Sequence, residues 1–198
     1  MVKILFSANK DIKKFIDENG ISSVVYAEQV HGGEAEIVDF SHIGEKIKGK
    51  DALVTKERDL YLSVAVADCL PVFLWNESGG VVALAHAGWR GLCSGIIGST
   101  LFKMKELSDE AISAYIGPGI GKCHFEVKGD VAEKFPRFTE KRNGKIFVDL
   151  KAVAREDLQK GGVKNIEISD ECTYCSDNCF SYRRDGGSER MFAFIKVN

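Results

Sequence analysis

The sequence is poor in the features that divide a chain or send it elsewhere. It has three prolines in 198 residues, and no internal repeat, low-complexity tract or Pro/Ser-rich linker interrupts it. One domain over 1–198 is the simplest organisation, and 44% hydrophobic residues suffice for one substantial core. No stretch approaches the roughly 18 unbroken apolar residues of a membrane helix. The opening MVKILFSANKDIKK has a short apolar run, then charge, and lacks a small-residue cleavage site. A soluble, cytoplasmic protein without a membrane partner is expected. Lys and Arg are scattered and the net charge is −2, which argues against nucleic acid as a partner. Of the six cysteines, metal or catalytic use is a better expectation than disulfides in a cytosolic chain of this size.

What is present reads as interleaved strands and helices. A short helix is expected over 10–19, with Ile12, Phe15 and Ile16 on one face and Gly20 as its stop. SSVVYAEQVHG reads as a strand ending at His31, GEAEIVDF as a second, and DLYLSVAVADC as a third ending at Cys69. PVFLWN and GGVVALAHAG follow as strands. GLCSGIIGSTLFKMKEL then looks helical, with Leu92, Ile96, Leu101 and Met104 along one stripe. AISAYIGPGIG is a strand entering a glycine-rich turn, VKGDVAEKF a helix, and GKIFVDL a strand. Asp149 can cap a helix over 150–160 that stops at Gly161-Gly162. NIEISDECT and RMFAFIKV close the chain as strands. The class is α/β or α+β with a mixed sheet.

Three donor residues sit at strand ends, beside turns containing Gly or Pro: His31, Cys69 and His86. Strand ends of one sheet can converge at a common edge. Two imidazoles and a thiolate would form a zinc triad with an open position for water or substrate. The same residues also read without metal, as a Cys69 nucleophile beside a histidine, with Asp68 or another polar group orienting the base. The blander readings are a satisfied core histidine at 86 and a small buried hydrophobe at 69.

Arg90 lies in AHAGWRG, between a strand and an expected helix start, where backbone N–H groups and a guanidinium favour an anion. SYRRDGGSER adds Arg183, Arg184 and Arg190, either a second anion-gripping cluster or a solvated hairpin. GPGIG at 117–121 is not a phosphate-binding loop of the Walker type. ECTYCSDNC carries Cys172, Cys175 and Cys179 as C-x2-C-x3-C. It resembles a structural zinc knuckle lacking a fourth ligand, or a redox pair with a spare thiol, and a donor from elsewhere could complete it. A partly buried or incidentally reactive thiol is the plainer reading of Cys175.

Several stretches in order resemble the YfiH-type, or laccase-domain, family: EQVHG at 28–32, DALVT at 51–55, ADCLPVFL at 67–74, AHAGWRG at 85–91, IGPGIGKCHFEV at 116–127, and CT followed by FSYRRDG within 172–186. The resemblance runs from about residue 28 to the C-terminus. The family was once labelled multicopper polyphenol oxidoreductase and is now regarded as purine nucleoside phosphorylases with adenosine deaminase activity. It implies a layered α/β sandwich with mixed sheets and zinc on His31, Cys69 and His86. It also implies a pocket for adenosine, inosine or methylthioadenosine, and phosphate, in a monomer or homodimer. On this resemblance Arg90 looks like a contact for phosphate or ribose; joined with the residue chemistry, Arg183 and Arg184 are further candidates for the anion site, and Asp68 the first candidate for moving a proton.

Two departures stand out. The family's T-R-x-G-G type opening segment has no counterpart in FSANKDIKK, and its closing T-G-R is here Ser188-Glu189-Arg190. Four histidines are too few for a multicopper oxidase, although Cu2+ could occupy the triad in place of zinc. The rival readings are a cysteine-type hydrolase using Cys69 and His86, and a peptidoglycan-editing or binding role without nucleoside turnover.

Overall fold

The computed structural model describes residues 1–7 and 12–198. In chain order the first half comprises β1 (Val2–Ser7), α1 (Ile12–Glu18), β2 (Val24–Ala27), β3 (Ala35–Ile37), β4 (Lys46–Ile47), β5 (Ala52–Thr55), β6 (Tyr61–Val66), β7 (Leu70–Asn76) and β8 (Val82–Ala87). Next come α2 (Trp89–Cys93), α3 (Ile96–Lys105), β9 (Ile112–Ile116), β10 (Glu126–Val127), α4 (Gly129–Ala132), β11 (Thr139–Arg142) and β12 (Lys145–Val148). The chain closes with α5 (Leu150–Lys160), β13 (Asn165–Ile168), α6 (Tyr182–Asp185) and β14 (Met191–Val197).

A five-stranded sheet runs β1-β14-β6-β2-β4, a six-stranded sheet runs β13-β9-β7-β8-β5-β3, and β10-β12-β11 form a small third sheet. Both large sheets mix parallel and antiparallel pairs. They pack face to face. Leu53, Phe73 and Leu84 of the six-stranded sheet meet Leu62, Val64, Ala193 and Ile195 of the five-stranded one. Their sequence neighbours Val54, Val72, Leu74, Ala83 and Ala85 point the other way, onto Ile96, Ile97 and Leu101 of α3 and Val153 and Leu158 of α5. Period-two alternation thus feeds two cores at once, which is why these strands read as unbroken apolar runs. Each fully buried side chain such as Phe73 contributes roughly 1.5–3 kcal/mol. On the far face of the five-stranded sheet, α1 lays Ile12, Phe15 and Ile16 against Phe194. The result is a layered α/β/β/α sandwich with mixed sheets.

The helix expected over 10–19 is α1, and its positions 10 and 11 lie outside the described residues. Asp149 caps α5 by accepting from the Ala152 amide, as its sequence implies. The single helix expected over 91–107 is two. Gly95 adopts a left-handed conformation (φ 81°) and divides α2 from α3, while the expected stripe stays buried. The helix expected in VKGDVAEKF shrinks to the four residues of α4. Strands β1 and β5 escape the sequence pattern because runs of four to six residues with mostly apolar side chains carry little diagnostic period.

The strand ends also need correction. Strand β2 stops at Ala27 and β6 at Val66, so neither His31 nor Cys69 ends a strand. Both lie in segments where the chain leaves the five-stranded sheet for the six-stranded one. Strands β2 and β6 are parallel neighbours, so both departures occur at the same end of that sheet. Leu70, at the start of β7, pairs with Ala87 at the end of β8, which brings His86 to that end as well. The convergence point is the mouth between two sheets, rather than one edge of a single sheet.

Candidate metal and anion site

The mouth is an open cleft of about 650 Å³, within the usual range for a small-molecule site. Its lining includes His31, Cys69 and His86, together with Asp68, Arg90, Arg183 and Arg190. The ligand atoms of His31, Cys69 and His86 all lie within 4.8 Å of one another. His86 is buried, Cys69 half-buried and His31 exposed, so the donor set has one face toward the cleft. The three candidate donors of the sequence thus come together as one cluster.

The residue that organises them is one the sequence did not single out. Asp51 is fully buried at the head of β5, and its carboxylate accepts from the amides of Val30 (3.1 Å), His31 (2.9 Å) and Gly32 (2.7 Å). The same carboxylate lies 2.8 Å from His86 Nδ1. His31 has a left-handed backbone (φ 61°), and so does Gln29 (φ 64°). That geometry curls successive N–H groups into a nest around the anion. Non-glycine residues persist in this region only where their surroundings hold them there. Here the Gln29 side chain also clamps Ala65 on β6, donating to its carbonyl and accepting from its amide at 2.7 and 2.8 Å. With Nδ1 engaged by Asp51, His86 presents Nε2 to the cluster, an arrangement metal-binding histidines commonly use. DALVT was visible as a motif, but nothing in its spacing links Asp51 to His86 across 35 residues.

Electrostatics reinforce the grouping. Burial pushes the Asp51 carboxyl up, but hydrogen bonds from His86 and from the Gly32 and His31 amides outweigh it and hold it below the ordinary range. Burial also raises the Cys69 thiol, yet its hydrogen bonds with His31 and His86 bring it down to about 6. Burial opposes charge on His86, while hydrogen bonds to Asp51 and Cys69 lift it to about 9. Both shifts run in the direction that favours a thiolate facing an imidazolium in the metal-free site. A soft cation replacing the imidazolium proton would meet a thiolate and two imidazoles, donors that suit zinc.

The remaining predicted residues divide. Arg90, at the start of α2, stacks its guanidinium 4.4 Å over the Trp89 ring and faces the cleft. Arg183 also lines the cleft and donates to the Glu126 carbonyl (2.7 Å). Arg184 does not line it. Its guanidinium gathers the carbonyls of Thr173, Tyr174, Ser176 and Cys179 and pairs with Asp185, because α6 turns successive side chains to different sides. Arg190 takes the place expected of Arg184 in the cleft lining. Asp68 lies at the cleft with φ 84°, its two oxygens accepting from the Thr173 hydroxyl (2.7 Å) and the Arg183 amide (2.8 Å). His42 sits in an exposed turn beside Asp39, and His124 in a separate cysteine cluster. Two imidazoles are thus all that reach this site, far fewer than a multicopper centre requires. Among the described residues no helix is long and apolar enough to cross a membrane.

Known proteins resemble this chain in sequence and in fold. The family model described as multi-copper polyphenol oxidoreductase laccase matches residues 7–198. "Purine nucleoside phosphorylase YfiH" of Escherichia coli (strain K12) is 38% identical over 182 residues, covering 88% of this chain and 74% of that protein. "Purine nucleoside phosphorylase" of Aquifex aeolicus (strain VF5) is 39% identical over 147 residues, 74% of this chain and 70% of that one. Among solved structures, YlmD from Geobacillus stearothermophilus superposes with a TM-score of 0.87 at 32% identity, covering 94% of this chain and 78% of that one. Fold and sequence agree, and the chain belongs to the laccase-like YfiH family.

Proposed function

We propose that the protein is a zinc-dependent purine nucleoside phosphorylase that also deaminates adenosine. The observation that carries this reading is one cleft lined both by a His–Cys–His donor set and by three arginines. Relatives bearing the phosphorylase name support it. In phosphorolysis a phosphate oxygen attacks C1′ of the ribose, the bond to the base breaks, and the base departs with that electron pair and gains a proton. Arg90 and Arg183 would hold the phosphate, since a guanidinium grips it bidentately. Arg190 would support them. Trp89 and Phe125 offer apolar faces for a purine at the same cleft. Asp68, fixed by Thr173 and Arg183, would handle the proton.

Deamination needs water to add at purine C6 and ammonia to leave. His31, Cys69 and His86 would hold the zinc, which when bound supplies Lewis acidity and a water of lowered pKa. Cu2+ fits the same donors, since affinity for such sites rises toward copper.

The test is product identification. Purified protein of known metal content is incubated with adenosine, with and without phosphate, and products are separated by chromatography. Adenine that forms only with phosphate, and inosine that forms without it, are the expected results. If neither product forms from zinc-loaded protein, the proposal is wrong. Arg90→Ala should raise the phosphate concentration needed for half-maximal rate by about tenfold or more, as expected for a lost charged hydrogen bond, with zinc retained. An unchanged phosphate dependence would move the anion site to Arg183 and Arg190.

One observation favours a second reading. Asp51, His86 and Cys69 line up as carboxylate, imidazole and thiolate, the order of a cysteine hydrolase. Such an enzyme keeps its activity after chelation and loses it on thiol alkylation, whereas the zinc enzyme loses activity to a chelator.

A further inference from the structure

We propose that the protein carries a second metal site, structural and thiolate-rich, formed by Cys123, His124, Cys172 and Cys175 about a zinc ion. Sequence alone offers C-x2-C-x3-C at 172, 175 and 179, with any further donor left to come from elsewhere in the chain. The fold supplies Cys123 and His124, which lie 49 residues before Cys172 and 51 before Cys175 respectively. The turn at 121–125, where the His124 and Phe125 amides donate to the Gly121 carbonyl, faces the turn at 172–176, where the Cys175 and Ser176 amides donate to the Cys172 carbonyl. A bridge between Gly119 and Cys172 joins the two segments.

The four ligand atoms all lie within 4.8 Å of one another. The sulfur of Cys123 is 3.5 Å from that of Cys172 and 3.8 Å from that of Cys175, and His124 Nδ1 is 3.2 Å from Cys175 Sγ. A tetrahedron with metal–sulfur bonds of about 2.3 Å has edges of about 3.8 Å. The thiols therefore stand at the separations a tetrahedral cation imposes, well beyond the roughly 2.05 Å of a disulfide. Supporting contacts are in place as well. The Gly121 amide donates to Cys172 Sγ at 3.1 Å, and the His124 ring stacks on Tyr174 at 4.0 Å. A side chain at Gly121 would press its Cβ to within 3.1 to 3.3 Å of Cys123 Sγ and Cys172 Sγ. Three sulfurs and one imidazole make a closed set typical of structural zinc. Cys179 is buried elsewhere and takes no part.

The site would brace the cleft wall. Thr173, inside the knuckle, donates to Asp68, and Phe125, next to His124, lines the cleft. The Arg184 guanidinium, drawn away from the cleft, ties the knuckle's carbonyls together.

Metal analysis of protein purified under reducing conditions and reconstituted with zinc tests this. Wild type should bind two zinc ions per chain, and His86→Ala should keep one. In the His86→Ala background, Cys175→Ser should weaken the remaining ion at least tenfold against a chelator; Cys175 is exposed, so this variant should fold. Cobalt in the His86→Ala protein should show the intense charge-transfer and visible bands of a tetrahedral thiolate site, a signature that needs no catalytic assay. A His86→Ala protein that binds no metal overturns the proposal. So does peptide mapping that finds a disulfide joining Cys123 to Cys172 or Cys175 in freshly reduced, zinc-treated protein.

Discussion

Replacing Asp51 with alanine should lower zinc affinity at the cleft by 10- to 100-fold or more and destabilise the protein by about 3–5 kcal/mol, the ranges for lost outer-shell partners and broken buried charge networks. The reason is the number of groups that depend on one carboxylate. Three consecutive amides, from Val30 to Gly32, and His86 Nδ1 all converge on it in a fully buried position. Removing it leaves the buried His86 Nδ1 unpaired, at about 1–3 kcal/mol, and takes the acceptor from three part-buried amides. It also frees the 29–32 loop, whose left-handed residues are held in place by those bonds. His31 and His86 would lose their orientation together. Asp51→Asn is the informative companion. It keeps the volume and one acceptor oxygen but turns an NH2 group toward amide donors. It should fold with a smaller stability loss and still bind zinc weakly. Chelator competition and thermal unfolding, with and without metal, read both effects. A zinc affinity for Asp51→Ala within twofold of wild type would show that Asp51 does not organise the site.

Gly88→Ala should abolish tight metal binding while leaving the fold close to intact. Gly88 precedes α2 with φ −79° and ψ 170°, a conformation alanine adopts freely, so the backbone carries no penalty. Its Cβ, however, would fall 2.7 Å from Cys69 Sγ and 3.6 Å from His31 Cδ2. Cys69 is short and seated in the turn between β6 and β7, so its sulfur must leave the cluster to make room. The expected result is a loss of zinc affinity of at least tenfold, with a proportionate loss of activity and a small change in melting temperature. Gly32→Ala is the control. Its Cβ would meet Val30 Cγ2 at 3.4 Å and Asp51 Oδ2 at 3.5 Å, ordinary contacts, and it should keep its metal. If Gly88→Ala binds zinc as wild type does, Cys69 is not a ligand in the position described.

Much of the architecture was legible in the amino-acid pattern. Apolar runs at 61–66, 70–76 and 82–87 marked strands, and Asp149 and Gly161 bounded α5, whereas the division of the 91–107 stripe at Gly95 did not show in the pattern. Donor chemistry was legible too, because histidine and cysteine next to turns are scarce and distinctive. Which sheet each strand joined was not. Short apolar runs have no address, and pairing β2 with β6 rather than β3 is decided by burial across the whole sandwich.

By itself, then, the sequence carried most of the elements, the family resemblance and the candidate donors His31, Cys69 and His86, since these depend on local periodicity and on residue type. The tertiary structure alone decided the rest. It set Asp51 behind His86, sent Arg184 to the cysteine knuckle and Arg190 to the cleft, and joined Cys123 and His124 to Cys172 and Cys175. Each of these contacts spans residues far apart in sequence or turns on the direction a side chain leaves a short helix. Such distances close only when two sheets and their helices bury their apolar faces together.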